Sequence, residues 1–136
     1  MTASTRTQDA FPTAWVEHWL DAVNTNPEVQ VIGRWTRLHL VLECGFHDVT
    51  LEFDQGSLRR VPAGLTTTRD RVVFTGSDRA WNSMLVPHPA PRCNDVLALD
   101  RHDPDFDVTE GREVLIKHLR VLLAIFRIAA QTEGRR

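Results

Sequence analysis

Apolar side chains recur at helical spacing from Pro12 onward: Trp15, Val16, Trp19, Leu20 and Val23 share one side, while Glu17, His18, Asp21 and Asn24 occupy the other. This pattern predicts an amphipathic helix that Asn24, Asn26 and Pro27 bring to an end. After Gly33 the period shortens to two. Leu38, Leu40 and Leu42 alternate with Arg37, His39 and Glu43, and Val49, Leu51 and Phe53 alternate with Asp48, Thr50, Glu52 and Asp54, so two strands with one buried face each are expected. Cys44, Gly45 and Phe46 connect them. Asp54, Gln55 and Gly56 turn the chain into a third short strand, SLRRV, and the run RVVF after the polar loop PAGLTTTRD predicts a fourth. These elements predict an antiparallel sheet with one solvated face.

In VVFTGSDRAWNSML, Gly76 suits a tight turn, and Ser77 can accept a hydrogen bond from the free amides of a helix that starts at Asp78. A nucleophile elbow would need Gly-x-Ser-x-Gly, but Thr75 and Arg79 stand two places to either side of Ser77. The serine is therefore expected to cap, with Trp81, Met84 and Leu85 turned toward the sheet or a pocket. The prolines of VPHPAPR allow only a stiff irregular connection, a rim or a hinge. Asn94 or Asp95 then caps a short helix through Val96, Leu97 and Leu99, and Phe106 to Thr109 predicts a last strand with Phe106 and Val108 facing inward.

From Arg112 to Gln131 the polar residues Glu113, Lys117, Arg120, Arg127 and Gln131 form one narrow stripe at helical spacing. Nearly everything else is apolar. Val114, Leu115, Ile116, Leu119, Val121, Leu122, Leu123, Ile125, Phe126 and Ile128 cover well over half of the circumference, whereas a surface helix needs an apolar stripe somewhat wider than about 100°. Something must cover the surplus: the core on several sides, a second copy of the chain in a homodimer, or an apolar cavity with its ligand. Lys117, His118, Arg120 and Arg127 interrupt any run of roughly 20 apolar residues, so a membrane span is not expected.

A length of 136 residues fits a single domain, 1–136, whose polar first residues, 1–11, are expected to be flexible. With 16 basic residues against 18 acidic ones, the chain has no broad positive field with which to attract nucleic acid. Cys44 and Cys93 are far apart and in no Cys-x-x-Cys spacing, so reduced thiols are expected. The segment MTASTRTQDA lacks the apolar core of a secretory signal, which makes the cytoplasm the expected location.

Candidate chemistry is sparse. Asp103, Asp105 and Asp107 alternate like calcium ligands, but an EF-hand loop starting at Asp103 would need Gly and Glu where Val108 and Val114 stand. His18, His39 and His118 have no partner at metal spacing, and His88 and His102 belong to polar loops, so neither a metal nor another cofactor is expected. Glu43, Cys44, His47 and Asp48 bring a thiol, an imidazole and two carboxylates to one hairpin, although no triad order is legible in them.

The order of helix, three meandering strands, a fourth strand running into VVFTGSDRAWNSML, a helical insert, FDVTEG and a closing apolar helix resembles the sterol carrier protein 2 family of lipid-binding domains. The resemblance spans about Ala14 to Ala130, and its best anchors are DVTLEFDQG, VVFTGSDRAW and FDVTEG. It implies an α+β fold in which helices cover one face of a five-stranded, mostly antiparallel sheet, with an apolar cavity between them for an acyl chain, a sterol or a similar lipid. Leu40, Leu42, Phe74, Trp81, Met84, Leu85, Phe106, Leu115, Leu119, Leu122 and Phe126 are the residues expected to line it. Asp107, Thr109 and Glu110 stand where the family carries a more basic strand, and an acidic mouth there would disfavour a carboxylate or phosphate head group. The enzymatic alternative is the cone-shaped fold of ketosteroid isomerase-like proteins, which hosts buried Asp and His bases. Those chains finish in long strands; this one finishes in a helix.

Overall fold

The computed structural model describes residues 10–62, 64 and 70–135. The period-two segments pair into a single sheet: β1 (Arg37–Cys44), β2 (His47–Asp54), β3 (Ser57–Val61), β4 (Asp70–Gly76) and β5 (Phe106–Glu110), in the order β3-β2-β1-β4-β5. Two hairpins make β1–β2 and β2–β3 antiparallel, and β5 returns antiparallel on β4 with a register shift at Val73/Phe74. β1 and β4 are parallel. The sheet is thus mostly antiparallel, as expected; the polar loop before β4 falls largely outside the described residues.

Helices α1 (Thr13–Asn24), α2 (Pro27–Ile32), α3 (Asp78–Met84), α4 (Val96–His102), α5 (Arg112–Lys117) and α6 (Leu119–Gln131) share one core with the inward residues of the sheet, among them Leu40, Leu42, Phe53 and Phe74. The alternate positions look the other way and mix polar residues with Val41, Val61 and Val73; His39, Val41, Thr50, Glu52 and Val73 are buried there, so this face is not the solvated one expected. There His39 lies opposite Glu52 and Glu52 opposite Arg59, and the Glu52 carboxylate takes His39 Nε2 at 3.0 Å and Arg59 Nε at 2.8 Å. Hydrogen bonding from Arg59 outweighs burial and, with the charges of Arg59 and His39, holds the Glu52 carboxyl below its ordinary value.

Helix starts follow the expected chemistry. Ser77 Oγ accepts from Ala80 N at 3.1 Å, so it is a cap, and Asp95 rather than Asn94 caps α4 by accepting from Ala98 N at 2.8 Å.

Three further features depart from the sequence reading. The stop signal after α1 is also a start signal: Asn26 accepts from Val29 N at 3.1 Å and Pro27 opens α2, because a proline costs nothing at a position whose amide has no helical partner. Of residues 1–11, expected to be flexible, 1–9 lie outside the described residues, while Ala10 and Phe11 are buried, with the Phe11 ring set edge-on to Trp81 at 5.4 Å and Arg135 Nη1 donating to Ala10 O at 2.9 Å. The last apolar segment is two helices, broken at His118. Consecutive helical residues point about 100° apart. Here both Lys117 Nζ, at 3.0 Å, and His118 Nε2, at 2.8 Å, reach one Asp70 carboxylate at the start of β4.

Two backbone constraints are testable. Gly111 stands between β5 and α5 at φ +80°, where an added Cβ would lie 2.0 Å from Arg71 O. Gly45, in the β1–β2 turn at φ +61°, has open space around it. Gly111→Ala should cost about 2–4 kcal/mol and Gly45→Ala about 1 kcal/mol in chemical denaturation, because the first adds a backbone collision to the left-handed strain that both share. Equal costs would show that the close approach to β4 is absent.

The Asp70 carboxyl is held below the ordinary aspartate value by its hydrogen bonds to His118 and then Lys117, against a smaller opposing effect of burial. The folded state therefore favours the ionised form. The contribution is complete above the unfolded pKa of about 4 and is lost as pH falls from there through the lower folded value. Asp70→Asn should flatten the acid side of the stability profile and cost about 1 kcal/mol at neutral pH. An unchanged acid profile in urea denaturation would remove Asp70 from this role.

Candidate functional site

The helix α6 carries seven buried residues, Val121, Leu122, Ala124, Ile125, Phe126, Ala129 and Ala130. Three tryptophans fix its surroundings. Trp19 Nε1 donates to Ile125 O at 2.9 Å, Trp15 Nε1 to Thr132 O at 3.2 Å, and Trp81 Nε1 to Glu43 O at 2.9 Å. Each indole thus buries its ring and still satisfies its polar atom.

Ten of the eleven residues expected to line a cavity are buried in one core, and Leu119 is half-buried. Their rings lie against one another. Phe126 meets Phe74 edge-on at 5.3 Å and Trp81 at 6.3 Å, and Phe106 lies 5.2 Å from Trp81 and 6.3 Å from Phe74. This aromatic cluster stands between sheet and helices, where the expected tunnel would run.

A groove opens beside that cluster rather than within it. It measures about 220 Å³ and runs between α6 and the proline-rich connection after α3, walled by Met84, Pro87, Pro89, Leu123, Phe126 and Ala130, with Asn94, Asp95, Arg127 and Gln131 as its polar members. Met84 and Phe126 are the expected lining residues that reach it. The other walls escaped sequence reading because a half-buried Leu123 looks like any core leucine. The prolines did signal a rim, and they form one. A second, more open groove of about 450 Å³ lies across α6 from the first, walled by Ala22, Asn26, Ile128 and Thr132 together with the same Arg127 and Gln131.

The titratable hairpin is split by strand alternation. Cys44 lies opposite His47 and Glu43 opposite Asp48, so the thiol and imidazole share one face while the two carboxylates share the other. Cys44 is buried in the core, and Glu43 Oε1 accepts from Thr75 Oγ1 at 2.9 Å. Among the described residues no group of three His, Cys, Asp or Glu side chains is placed to hold a metal ion. The acidic strand β5 is partly compensated: Asp107 Oδ1 lies 3.3 Å from Nη2 of Arg112, which also pairs with Asp100, and Glu110 Oε2 lies 3.1 Å from Arg71 Nε. Among the described residues no helix is long and apolar enough to cross a membrane.

No family model and no curated protein sequence matches the chain. Two solved structures do match in shape. One is a conserved hypothetical protein of Thermus thermophilus, suggested to be a sterol carrier protein, with 17% identity, a TM-score of 0.65, and coverage of 98% of this chain and 97% of that one. The other is sterol carrier protein 2, with 15% identity, a TM-score of 0.66, and coverage of 92% of this chain and all of the other. This chain therefore has the α+β fold of sterol carrier protein 2 over nearly its whole length.

Proposed function

We propose that the protein binds a lipid without covalent chemistry or a cofactor, and that it carries the lipid or presents it to another protein. The observation that carries this reading is the apolar groove beside α6, which ends on Met84 and Phe126 in a fold shared with sterol carrier protein 2. Each buried CH₂ contributes about 0.8 kcal/mol, so a hydrocarbon tail against Leu123, Phe126 and Ala130 needs few polar contacts to reach micromolar affinity. At about 220 Å³ the groove is smaller than the roughly 300–1,000 Å³ of a drug-sized site. It therefore suits an acyl tail better than a rigid fused-ring sterol. The proline-rich strap is exposed at Val86, Pro87 and His88, and Pro87, Pro89 and Pro91 offer no amide to anchor it, so its outward movement would break few hydrogen bonds. The remaining expected lining residues lie behind the groove, where they would meet a longer tail only if the aromatic rings turned aside.

A homodimer through the last helix is the lesser reading, because most of the apolar circumference of α6 is covered by its own chain. Catalysis at the β1–β2 hairpin is disfavoured because Cys44 is buried in the core and both carboxylates lie on the face opposite the thiol and imidazole.

Native mass spectrometry of protein purified from cells should show co-purified lipid, and a fluorescent fatty acid should be bound and displaced by an unlabelled one. Leu123→Trp, which fills the groove, should weaken fatty-acid binding about tenfold or more at unchanged fold. Absence of lipid together with no fatty-acid binding would refute the proposal.

A further inference from the structure

The two grooves flanking α6 are related by the geometry of the helix. At about 100° per residue, Leu123, Phe126 and Ala130 fall to one side of the line through Arg127 and Gln131, and Ile128 and Thr132 fall to the other. Arg127 and Gln131, one turn apart, wall both grooves. Leu123 and Ile128 are half-buried, so the apolar surface of α6 that the described residues leave open lies on these two flanks.

Between them stands a cation. Arg127 Nη2 reaches Glu28 Oε1 at 2.9 Å, with both side chains more than half exposed. An exposed pair of this kind contributes little to stability, so the guanidinium can exchange its carboxylate for another anion at small cost. Gln131 adds an amide donor one turn further along α6.

We propose that the two grooves form one site for an anionic amphiphile with two hydrocarbon chains, one chain lying on each flank of α6 and the acidic head group on Arg127. This inference rests on the lipid-binding reading above and adds the second groove, the head-group residue and the number of chains. Two apolar troughs separated by a cationic ridge match the shape of a diacyl phospholipid, whose chains leave one anionic head. A single-chain acid would use one trough and leave the other wet. Glu28 competes with the head group for Arg127 and so limits affinity for anions.

Binding of dioctanoyl phosphatidylglycerol and of its one-chain lyso analogue, measured by calorimetry below their micellar concentrations, tests this directly. The diacyl form should bind about tenfold or more tightly than the lyso form, given about 1.4 kcal/mol per tenfold and about 0.8 kcal/mol per buried CH₂. Ala22→Phe, which fills the second groove, should remove that advantage while leaving lyso affinity within about twofold. Thr132→Phe from the facing wall serves if the first variant fails to fold. Arg127→Gln should weaken both ligands about tenfold at low salt, and Glu28→Gln should strengthen both.

Equal affinity for the two ligands, or a diacyl advantage that survives filling of the second groove, would overturn the two-chain site while leaving fatty-acid binding intact. Failure of both phospholipids with fatty-acid binding preserved would also overturn it. Failure of all three ligands would take the lipid-binding reading down as well.

Discussion

The position of Phe126 decides most of what surrounds it. Its ring lies 5.3 Å from Phe74 of the sheet, 6.0 Å from Trp19 of α1 and 6.3 Å from Trp81 of α3. One side chain therefore joins the last helix to the sheet and to two other helices. Truncating such a residue removes several packed contacts at once, and a core this dense leaves the neighbours little freedom to close the gap. The same residue forms part of the wall of the groove under the proline-rich strap. Core and site are thus one assembly, and any ligand in the groove rests on the element that holds the fold together.

The hydrogen bonds of the tryptophans explain why that assembly has a fixed geometry. Apolar contact is non-directional, and a helix with so wide an apolar surface would otherwise be free to rotate about its axis. Trp19 and Trp15 bond to α6 and the residue that caps it, at Ile125 O and Thr132 O, 2.9 and 3.2 Å away. A rotation of α6 would leave these buried donors without acceptors, at a cost of about 1–3 kcal/mol each. Asp70 fixes the other end of the helix by receiving both Lys117 and His118. With rotation blocked at both ends, Arg127 and Gln131 are held outward between the two grooves.

Much of the architecture is legible in the chain because its strands are half-buried. The alternation of Leu38, Leu40 and Leu42 with Arg37, His39 and Glu43 reports which face meets the helices, and the observed register keeps that division across β1 and β2. Ser77 and Asp95 are legible for a different reason, since a short polar side chain before an apolar run has one common use. The break at His118 is not legible: it depends on Asp70, 48 residues earlier, and no local preference marks it. The grooves are equally hidden. Leu123 and Ile128 differ from Leu122 and Ile125 only in what lies across from them, which is a property of tertiary packing and not of residue type. An apolar surplus can be counted from sequence; its place on the surface cannot.

That surplus is distributed in a way that bears on where the proposed ligand could lie. A tunnel through the centre would require Phe74, Trp81, Phe106 and Phe126 to part, and their mutual contacts span four secondary-structure elements. Opening it would disturb the same packing that stabilises the unliganded chain. The flanks of α6 carry no such penalty, because Leu123 and Ile128 are incompletely covered before any ligand arrives. A ligand laid along the flanks gains apolar burial without breaking core contacts, whereas one threaded through the centre must first offset the packing it displaces. For the proposed ligand, these terms favour occupation from the outside of α6 inward. The proline-rich strap, which lies over one flank and has few amides to anchor it, is the part of the fold best suited to yield.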